Sequence, residues 1–364
     1  MTLAAPEAWA RIRLLRSPNI GPVSYAQLLR RFGSAAEALT ALPDLAGRGG
    51  KPYRAAPAER IDAEIAAVKR AGARYLFHDL PDYPRLLGEA EGAPPILVVR
   101  GDCALANAPS VAIVCARNAS AAAVKLARDF AGGLAEAGYA VVSGLARGID
   151  GAAHKGALAH GATIGVIASG IDIAYPHEHA ELQEQVASEG LLVAEQPPGT
   201  EPLARHFPSR NRIIAGMAGG TLVVEAAPKS GSLITARLAG EAGREVMAIP
   251  GSPLDARAQG CNQLIRDGAV LVQSVDDVVE LLAGFDGTPR SRFREAAPPA
   301  WLPDDELADE PAEIDALLTL APVAVDELVR QSGESPAAVQ LALLEMELAG
   351  RLVRHAGGRV SLAG

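Results

Sequence analysis

The chain has 364 residues, which is too long for one ordinary hydrophobic core and indicates two or three domains. Hydrophobic residues make up 49% of the sequence, and the formal net charge of −9 argues against a protein that coats nucleic acid through a basic surface. Any nucleic-acid site must therefore be a local basic pocket.

Signals for targeting and for metal or disulfide chemistry are sparse. The three cysteines, Cys103, Cys115 and Cys261, are odd in number and form no C-x-x-C pair, so neither a disulfide framework nor a cysteine zinc site is predicted. No basic stretch followed by an apolar core opens the sequence, and no apolar run approaches the length of a membrane span. We expect a cytoplasmic protein with no membrane contact, no metal and no cofactor.

The first 75 residues predict a helical domain. A Ser-Pro-Asn-Ile-Gly-Pro break at residues 17–22 precedes an apolar stripe formed by Tyr25, Leu28, Leu29 and Phe32. An Ile-Gly-Pro turn ahead of such a helix resembles helix-hairpin-helix and SAM-like modules, which contact nucleic-acid backbones or other proteins. A small helical bundle with this stripe as its core is an equally good interpretation.

Residues 76–284 alternate between strand and helix patterns. After two strands at 75–77 and 96–99, apolar runs typical of buried strands occupy residues 111–114, 139–142, 163–168, 191–195, 221–225, 245–249 and 270–272. Helical patterns lie between them. This alternation predicts an α/β domain with an extended Rossmann-like, doubly wound and mostly parallel sheet.

The last part of the chain predicts a winged helix. Residues 285–311 have the composition of an acidic, proline-containing linker. Residues 312–364 follow with helical patterns at 312–320, 325–331 and 335–349 and with two strands at 351–355 and 358–362. Asp326 and Ser335 are predicted helix caps. Because the third helix has no basic residue, we favour a protein contact over DNA reading for it.

Two turns of the predicted sheet domain are suited to an anion. In a doubly wound sheet, ligands bind outside the carboxyl ends of the strands, where Arg117 and the turn at residues 143–150 would lie side by side. Free backbone N–H groups at helix starts attract phosphate, and Arg117 and Arg147 add full charges. Neither G-x-G-x-x-G nor a P-loop is present, so a nicotinamide or P-loop nucleotide is not expected.

Two further segments point to the same chemistry. Arg205, Arg210 and Arg212 surround Phe207, and cations beside an aromatic ring are typical of single-stranded nucleic-acid sites, although a solvated helix start is the alternative. The turn at residues 229–232 offers a lysine, hydroxyl groups and free N–H groups to a phosphate, or it simply caps a helix.

Three motifs carry a resemblance to a known family. They are SGLARGIDGAAHKGAL at residues 143–158, FPSRNRIIAG at 207–216 and SGSLITA at 230–236. In this order they resemble the bacterial DNA-processing protein A family (DprA or Smf), and the match extends over nearly the whole chain. One difference is that the family's first turn reads Gly-Ser-Arg, whereas this chain has Cys115-Ala116-Arg117.

The resemblance implies a protein that binds single-stranded DNA and loads the recombinase RecA during natural transformation, forms a homodimer and catalyses no reaction. In this interpretation arginines neutralise phosphates, helix starts donate N–H groups and Phe207 stacks on a base. The DNA-binding residues are then Arg117, Ser143, Gly144, Arg147, Gly148, Gly170, Arg205, Phe207, Arg210, Asn211, Arg212, Lys229, Ser230, Gly231 and Ser232.

An enzyme is the rival hypothesis. Gly219-Gly220-Thr221 with Glu225 resembles the PGGxGTxxE region of lysine-decarboxylase-like nucleotide phosphoribohydrolases, whose glutamate acts on the glycosidic bond. The proline and the third glycine are missing here, which favours a shared fold over a shared activity. We expect Glu225 to orient an arginine or to cap a neighbouring turn, and no histidine lies in a spacing typical of catalysis.

Overall fold

A computed structural model describes residues 3–47, 53–114, 119–285, 308, 310–355 and 357–363. These residues group into two compact units. One unit contains residues 64–296, and the other combines residues 1–63 with residues 297–364. The two ends of the chain therefore share one unit.

The helices and strands follow the predicted alternation. The helices are α1 (Ala5–Leu15), α2 (Pro22–Phe32), α3 (Ala35–Gly47), α4 (Ala58–Arg70), α5 (Arg85–Gly88), α6 (Ala121–Glu136), α7 (Ile149–Leu158), α8 (Ala180–Glu189), α9 (His206–Met217), α10 (Gly231–Glu241), α11 (Gln259–Arg266), α12 (Val275–Leu282), α13 (Val325–Ser332) and α14 (Pro336–Leu348). The strands are β1 (Arg74–Phe77), β2 (Ile96–Gly101), β3 (Ser110–Val114), β4 (Ala140–Ser143), β5 (Thr163–Gly170), β6 (Leu191–Gln196), β7 (Gly220–Val223), β8 (Glu245–Ala248), β9 (Val270–Leu271), β10 (Val323–Ala324), β11 (Leu352–His355) and β12 (Arg359–Leu362).

A nine-stranded sheet forms the larger unit, with the order β1-β2-β6-β5-β4-β3-β7-β8-β9. β1 and β2 run antiparallel to their neighbours, and all the other pairs are parallel. The predicted mostly parallel sheet is thus confirmed. Parallel strands need crossover connections, and helices between successive strands provide them.

Both faces of the central part of this sheet are buried, which explains why its inner strands are mostly apolar. In β3, Ala112 and Val114 contribute to one hydrophobic cluster, while Val111 and Ile113 contribute to the cluster on the opposite face. This division follows from the alternation of side chains along a strand. The carboxyl ends of β3 to β7 consequently emerge at one edge of a rigid, well-packed layer.

The winged helix differs from its prediction at its start. Residues 312–320 do not form a helix but contain a single 3₁₀ turn, Asp315–Leu317, and β10 then pairs with β12 as a third strand. Prolines on both sides of this segment, at positions 311 and 322, disfavour a longer helix.

The two predicted caps have different outcomes. Ser335 accepts a hydrogen bond from the N–H of Ala338 at 3.2 Å, so it caps α14 as predicted. The prediction for Asp326 is wrong, because strand β10 leads directly into α13 and Ala324 holds the N-cap position. Asp326 instead lies in the first turn of the helix, where an acidic side chain is also favourable.

The apolar stripe of α2 belongs to a hydrophobic core. Tyr25 and Leu28 are buried, and Leu29 and Phe32 pack against the same cluster. The bundle interpretation therefore accounts for the stripe. In the part of the chain that the structure describes, no helix has both the length and the apolar character needed to cross a membrane.

Candidate nucleic-acid interface

A pocket of about 70 Å³ opens at the carboxyl edge of the large sheet. The turn after β4, the end of β5 and the start of α9 meet there. The lining residues are Gly144, Ala146, Arg147, Ala168, Tyr175, Pro176, Pro202, Phe207 and Arg210. Of the predicted DNA-binding residues, the structure thus brings Gly144, Arg147, Phe207 and Arg210 together.

Arg210 forms the floor of this pocket, and its side chain is held by backbone carbonyl groups. Its Nη1 donates to the carbonyl oxygen of Gly144 and, at 2.9 Å, to that of Val166. The residue is only 7% exposed. Gly144 directly follows β4 and Val166 lies within β5, so Arg210 links these two neighbouring strands and keeps a full positive charge below the pocket.

Gly144 is required by the close approach of this arginine. A Cβ atom at position 144 would lie 1.9 Å from Nη1 of Arg210, far inside any permitted contact. The glycine in the SGLARGID motif therefore makes room for a buried guanidinium group, which periodicity alone does not reveal.

The turn that follows β4 folds around a carboxyl group of its own. Asp150 accepts hydrogen bonds from the N–H groups of Gly144 at 3.1 Å and Ala146 at 3.3 Å. Burial raises the pKa of Asp150, and the nearby charge of Arg210 opposes that rise. The hydroxyl of Ser143 is also engaged, since it donates to the carbonyl oxygen of Ile113 at 2.7 Å. Ser143 and Gly144 were predicted as phosphate donors; both have partners within the protein here, and their contacts with DNA stay predictions.

Two aromatic rings form one wall of the pocket. The rings of Tyr175 and Phe207 lie 5.8 Å apart between centroids and are tilted by 57°. Tyr175 is 46% exposed, and Phe207 is half-buried. Tyr175 is not among the predicted site residues, although the Tyr-Pro pair in the loop just beyond the end of β5 is a signal visible in the sequence.

Two exposed arginines, Arg147 in the pocket lining and Arg205 at the start of α9, differ in their pairing. Arg147 is exposed and forms two hydrogen bonds with Glu178, at 2.7 and 2.8 Å. Arg205 is exposed at the N-cap position of α9, next to Phe207. Any anion that approached Arg147 would therefore have to compete with Glu178, whereas Arg205 is exposed to solvent.

Two other predicted residues of α9, Asn211 and Arg212, do not line the pocket. Arg212 is paired with Glu195 and donates to the carbonyl oxygen of Gly92. Asn211 accepts a hydrogen bond from Nε of Arg210 at 3.1 Å. The contacts of Arg212 fix α9 against β6 and the loop before β2, whereas that of Asn211 lies within α9. The phosphate roles of both residues stay predictions.

Two of the predicted glycines shape loops. Gly148 has φ of 81° at the start of α7, a conformation that favours glycine. At Gly170 a Cβ atom would lie 2.6 Å from the carbonyl oxygen of Pro197, so the glycine lets the loop before α9 pass close to β5. The direct DNA contacts predicted for these glycines stay predictions.

The turn at residues 229–232 is a separate feature of the same sheet edge. Ser230 caps α10 by accepting from the N–H of Ser232 at 3.3 Å, and the two hydroxyl groups are 2.8 Å apart. Lys229 is exposed in the left-handed region, with φ of 68°. None of residues 229–232 lines the pocket. Arg117, predicted for the neighbouring turn, lies outside the described residues.

Glu225, the candidate catalytic carboxylate, caps a helix. Its two oxygen atoms accept from the N–H and the hydroxyl of Ser120, each at 2.8 Å, just before α6 begins. The expectation that Glu225 caps a neighbouring turn is thereby confirmed. Within the described ranges, no group of three His, Cys, Asp or Glu residues is arranged to hold a metal ion.

Together these features define a three-part protein: a helical amino-terminal domain, a Rossmann-like sheet with a cationic and aromatic pocket, and a winged helix. Family models match each part. They are described as DNA recombination-mediator protein A for residues 74–283, the DprA-like N-terminal HHH domain for residues 5–67 and the DprA winged helix domain for residues 296–358. The chain belongs to the DNA recombination-mediator protein A family, also known as DprA or Smf.

Individual relatives agree with this assignment. Protein Smf of Synechocystis sp. is 31% identical over 389 residues, covering 97% of this chain and 96% of the relative. DNA processing protein DprA of Streptococcus pneumoniae is 46% identical over 198 residues, covering 54% of this chain and 70% of the relative.

Two solved structures share the fold. That of DprA from Streptococcus pneumoniae has a TM-score of 0.64 at 35% identity and covers 79% of this chain and 99% of its own. That of DNA processing protein A from Helicobacter pylori, described as showing a unique single-stranded DNA binding mode, has a TM-score of 0.53 at 27% identity and covers 58% of this chain and 97% of its own.

Proposed function

We propose that this protein binds single-stranded DNA at the carboxyl edge of its large sheet. The observation that carries the proposal is the pair of accessible aromatic rings, Tyr175 and Phe207, on the wall of a pocket with Arg210 below it and Arg147 at its mouth. Aromatic faces that stack on bases and cations that track the phosphates are the two components of single-strand recognition.

The geometry favours single-stranded over duplex DNA. Stacking on Tyr175 or Phe207 requires a base that is free of its own neighbours, and bases in a duplex are already stacked and paired. The lining supplies few side-chain groups that could read base edges, so sequence preference should be weak. The description of the Helicobacter pylori relative supports this choice of ligand.

The wider role that we propose is that of the family: protection of incoming single-stranded DNA and loading of RecA onto it during natural transformation, in the cytoplasm and without catalysis. Membership of the recombination-mediator family supports this role. A homodimer would place two pockets on one strand and increase its retention, because the second binding event becomes intramolecular.

The direct test compares ligands and then removes one ring. Fluorescence anisotropy should show tighter binding of a single-stranded oligonucleotide than of a duplex of the same length, with steep weakening by salt. Phe207→Leu keeps an apolar side chain but removes the aromatic face, so it should weaken binding of the single strand. Equal binding of the duplex, or unchanged binding by Phe207→Leu, would contradict the proposal.

RecA loading needs its own assay. With single-stranded DNA precoated by a single-strand-binding protein, addition of this protein should accelerate RecA filament formation, measured as DNA-dependent ATP hydrolysis by RecA. The Phe207→Leu variant is the matched control, since it should lose the acceleration together with DNA binding. Acceleration that survives the loss of DNA binding would contradict the proposed mechanism.

A further inference from the structure

The third helix of the winged helix, α14, is covered on more than one side. Val339, Leu343 and Met346 face the core of the winged helix itself, which also contains residues of α13, β11 and β12. Leu344 and Leu348 belong to a different core, which is built by the amino-terminal helices α1 to α3. Side chains from both ends of the chain therefore bury α14 between them.

Polar contacts join the same elements. Nε2 of Gln27 on α2 donates to Oε1 of Gln340 on α14 at 2.7 Å. Nδ2 of Asn19 donates to the carbonyl oxygen of Leu348 at 3.1 Å. The last carbonyl groups of a helix lack partners within it, so Asn19 provides part of the carboxyl-terminal cap of α14. An amino-terminal residue thus completes a helix of the winged domain.

The exposed remainder of α14 is poorly suited to DNA. The helix contains no Lys or Arg, and Glu347 is paired with Arg354 at 2.8 Å while both side chains are largely buried. A recognition helix needs a free face with cations or hydrogen-bond donors to enter the major groove. Neither the charge nor the accessibility of α14 meets that requirement.

We propose that the partner of the third helix is the chain's own amino-terminal helical domain, and that the two ends of the chain unfold as one cooperative unit. Docking keeps α14 closed to nucleic acid and gives the winged helix a structural role. This inference does not depend on the single-stranded DNA site.

Hydrogen exchange measured by mass spectrometry on the full chain tests the coupling. Leu28→Ala removes a fully buried side chain from the amino-terminal core without touching the winged helix core. We expect the exchange of the slowest amides in α14 and β12 to accelerate at least tenfold, together with those in α1 to α3. Acceleration confined to α1 to α3 would overturn the proposal.

A milder variant and a control complete the test. Gln27→Ala removes only the side chain that bonds to Gln340 and should accelerate exchange in α14 as well as α2, though by a smaller factor; acceleration in α2 alone would again overturn the proposal. Leu264→Ala, in the core of the sheet unit, should leave α14 and α1 to α3 unchanged. If Leu264→Ala accelerated exchange in α14 and in α1 to α3, the whole chain would be destabilised together. That result would contradict a separate unit formed by the two ends of the chain.

Hydrogen exchange also tests whether α14 is inaccessible to duplex DNA. In the wild-type protein, an excess of duplex DNA should leave exchange in α14 unchanged, because that helix has no free face to offer. Additional protection of α14 by duplex DNA would contradict the proposal.

Discussion

Helices α9 and α14 occupy positions that are both associated with nucleic-acid binding, yet they use their side chains in opposite ways. α9 begins at the sheet edge with exposed Arg205 and accessible Phe207, and it buries Arg210 below a pocket. α14 has no cation and is packed into two hydrophobic cores. Charged and aromatic groups thus stay accessible at the start of α9, whereas the whole length of α14 contributes to stability.

The difference shows that a fold does not by itself define a binding site. A winged helix is often a DNA reader, but this property depends on a third helix with a free and cationic face. In this chain the cations and aromatic rings lie instead around the carboxyl ends of parallel strands, where two or three loops converge.

Loss of an aromatic ring should produce the largest effect on binding. Phe207→Ala should weaken the binding of single-stranded DNA by roughly 1–3 kcal/mol, which is about fivefold to 150-fold in affinity. Gln340→Ala on α14 should leave the affinity for single-stranded DNA within about twofold of wild type, because the side chain of Gln340 bonds to Gln27. Titration by fluorescence anisotropy measures both. A larger loss of affinity for Gln340→Ala than for Phe207→Ala would reverse the roles assigned to α14 and α9.

Tyr175→Ala tests whether both rings belong to the site. The ring of Tyr175 is more than one-third exposed and lies 5.8 Å from that of Phe207. We expect a loss in the same range of roughly 1–3 kcal/mol, and a double variant whose loss is smaller than the sum if both rings contact one base. Unchanged affinity for Tyr175→Ala would restrict the site to Phe207.

Gly144→Ala should destabilise the pocket. The added methyl group must displace Arg210 from its carbonyl partners, so we expect a loss of about 1–3 kcal/mol in the free energy of unfolding, with weaker DNA binding. Gly231→Ala is the matched control, because nothing lies within 4 Å of its Cβ position. Denaturation by urea should separate the two variants. Equal free energies of unfolding for the two variants would show that Arg210 moves aside without loss of stability.

Salt dependence should reveal a smaller, charge-specific effect. If Arg205 contacts a phosphate, Arg205→Ala should flatten the slope of log affinity against log salt by about 0.7, the value for one contact on a single strand. Arg147→Ala should change it less, because Glu178 already pairs with that arginine. Conversely, Glu178→Gln should steepen the slope. If Glu178→Gln leaves the slope unchanged, Arg147 does not face the DNA.

The sequence predicts the general fold well because that fold rests on local patterns. Apolar runs, glycine-rich turns and serine caps are read from neighbouring residues, so the parallel sheet and the cap at Ser335 are correct. The helix predicted over residues 312–320 is wrong, because apolar spacing there reflects burial of Ile314 and Leu318 in an irregular segment between prolines.

The details of the site depend on contacts between distant segments, which spacing does not show. The carboxylate of Asp150 occupies donors that appeared free, and the role of Gly144 depends on Arg210, 66 positions further along the chain. Tyr175 becomes visible only when its ring is seen beside Phe207. For the same reason the partner of α14 could not be identified before Leu344 and Leu348 were placed in the amino-terminal core.

The smallest effect on DNA binding is expected at Glu225, where the binding and enzyme hypotheses differ most. Its carboxylate accepts from both the N–H and the hydroxyl of Ser120 at 2.8 Å. In Glu225→Gln the amide oxygen still accepts from one of these donors, and the serine hydroxyl can rotate to accept from the new NH₂ group. Single-strand affinity should therefore stay within a few fold, with a loss of about 1 kcal/mol in stability because a charged acceptor has become neutral.

A phosphoribohydrolase would behave differently, because its carboxylate stabilises positive charge that develops on the ribose. Glu225→Gln would then abolish the release of free base from nucleoside monophosphates. Chromatography of wild type, Glu225→Gln and the exposed control Glu181→Gln on the same substrates separates the cases. We expect no base release from any of the three. Release by wild type and Glu181→Gln that disappears in Glu225→Gln would establish the enzyme and remove the cap at Ser120 as a sufficient explanation for this residue.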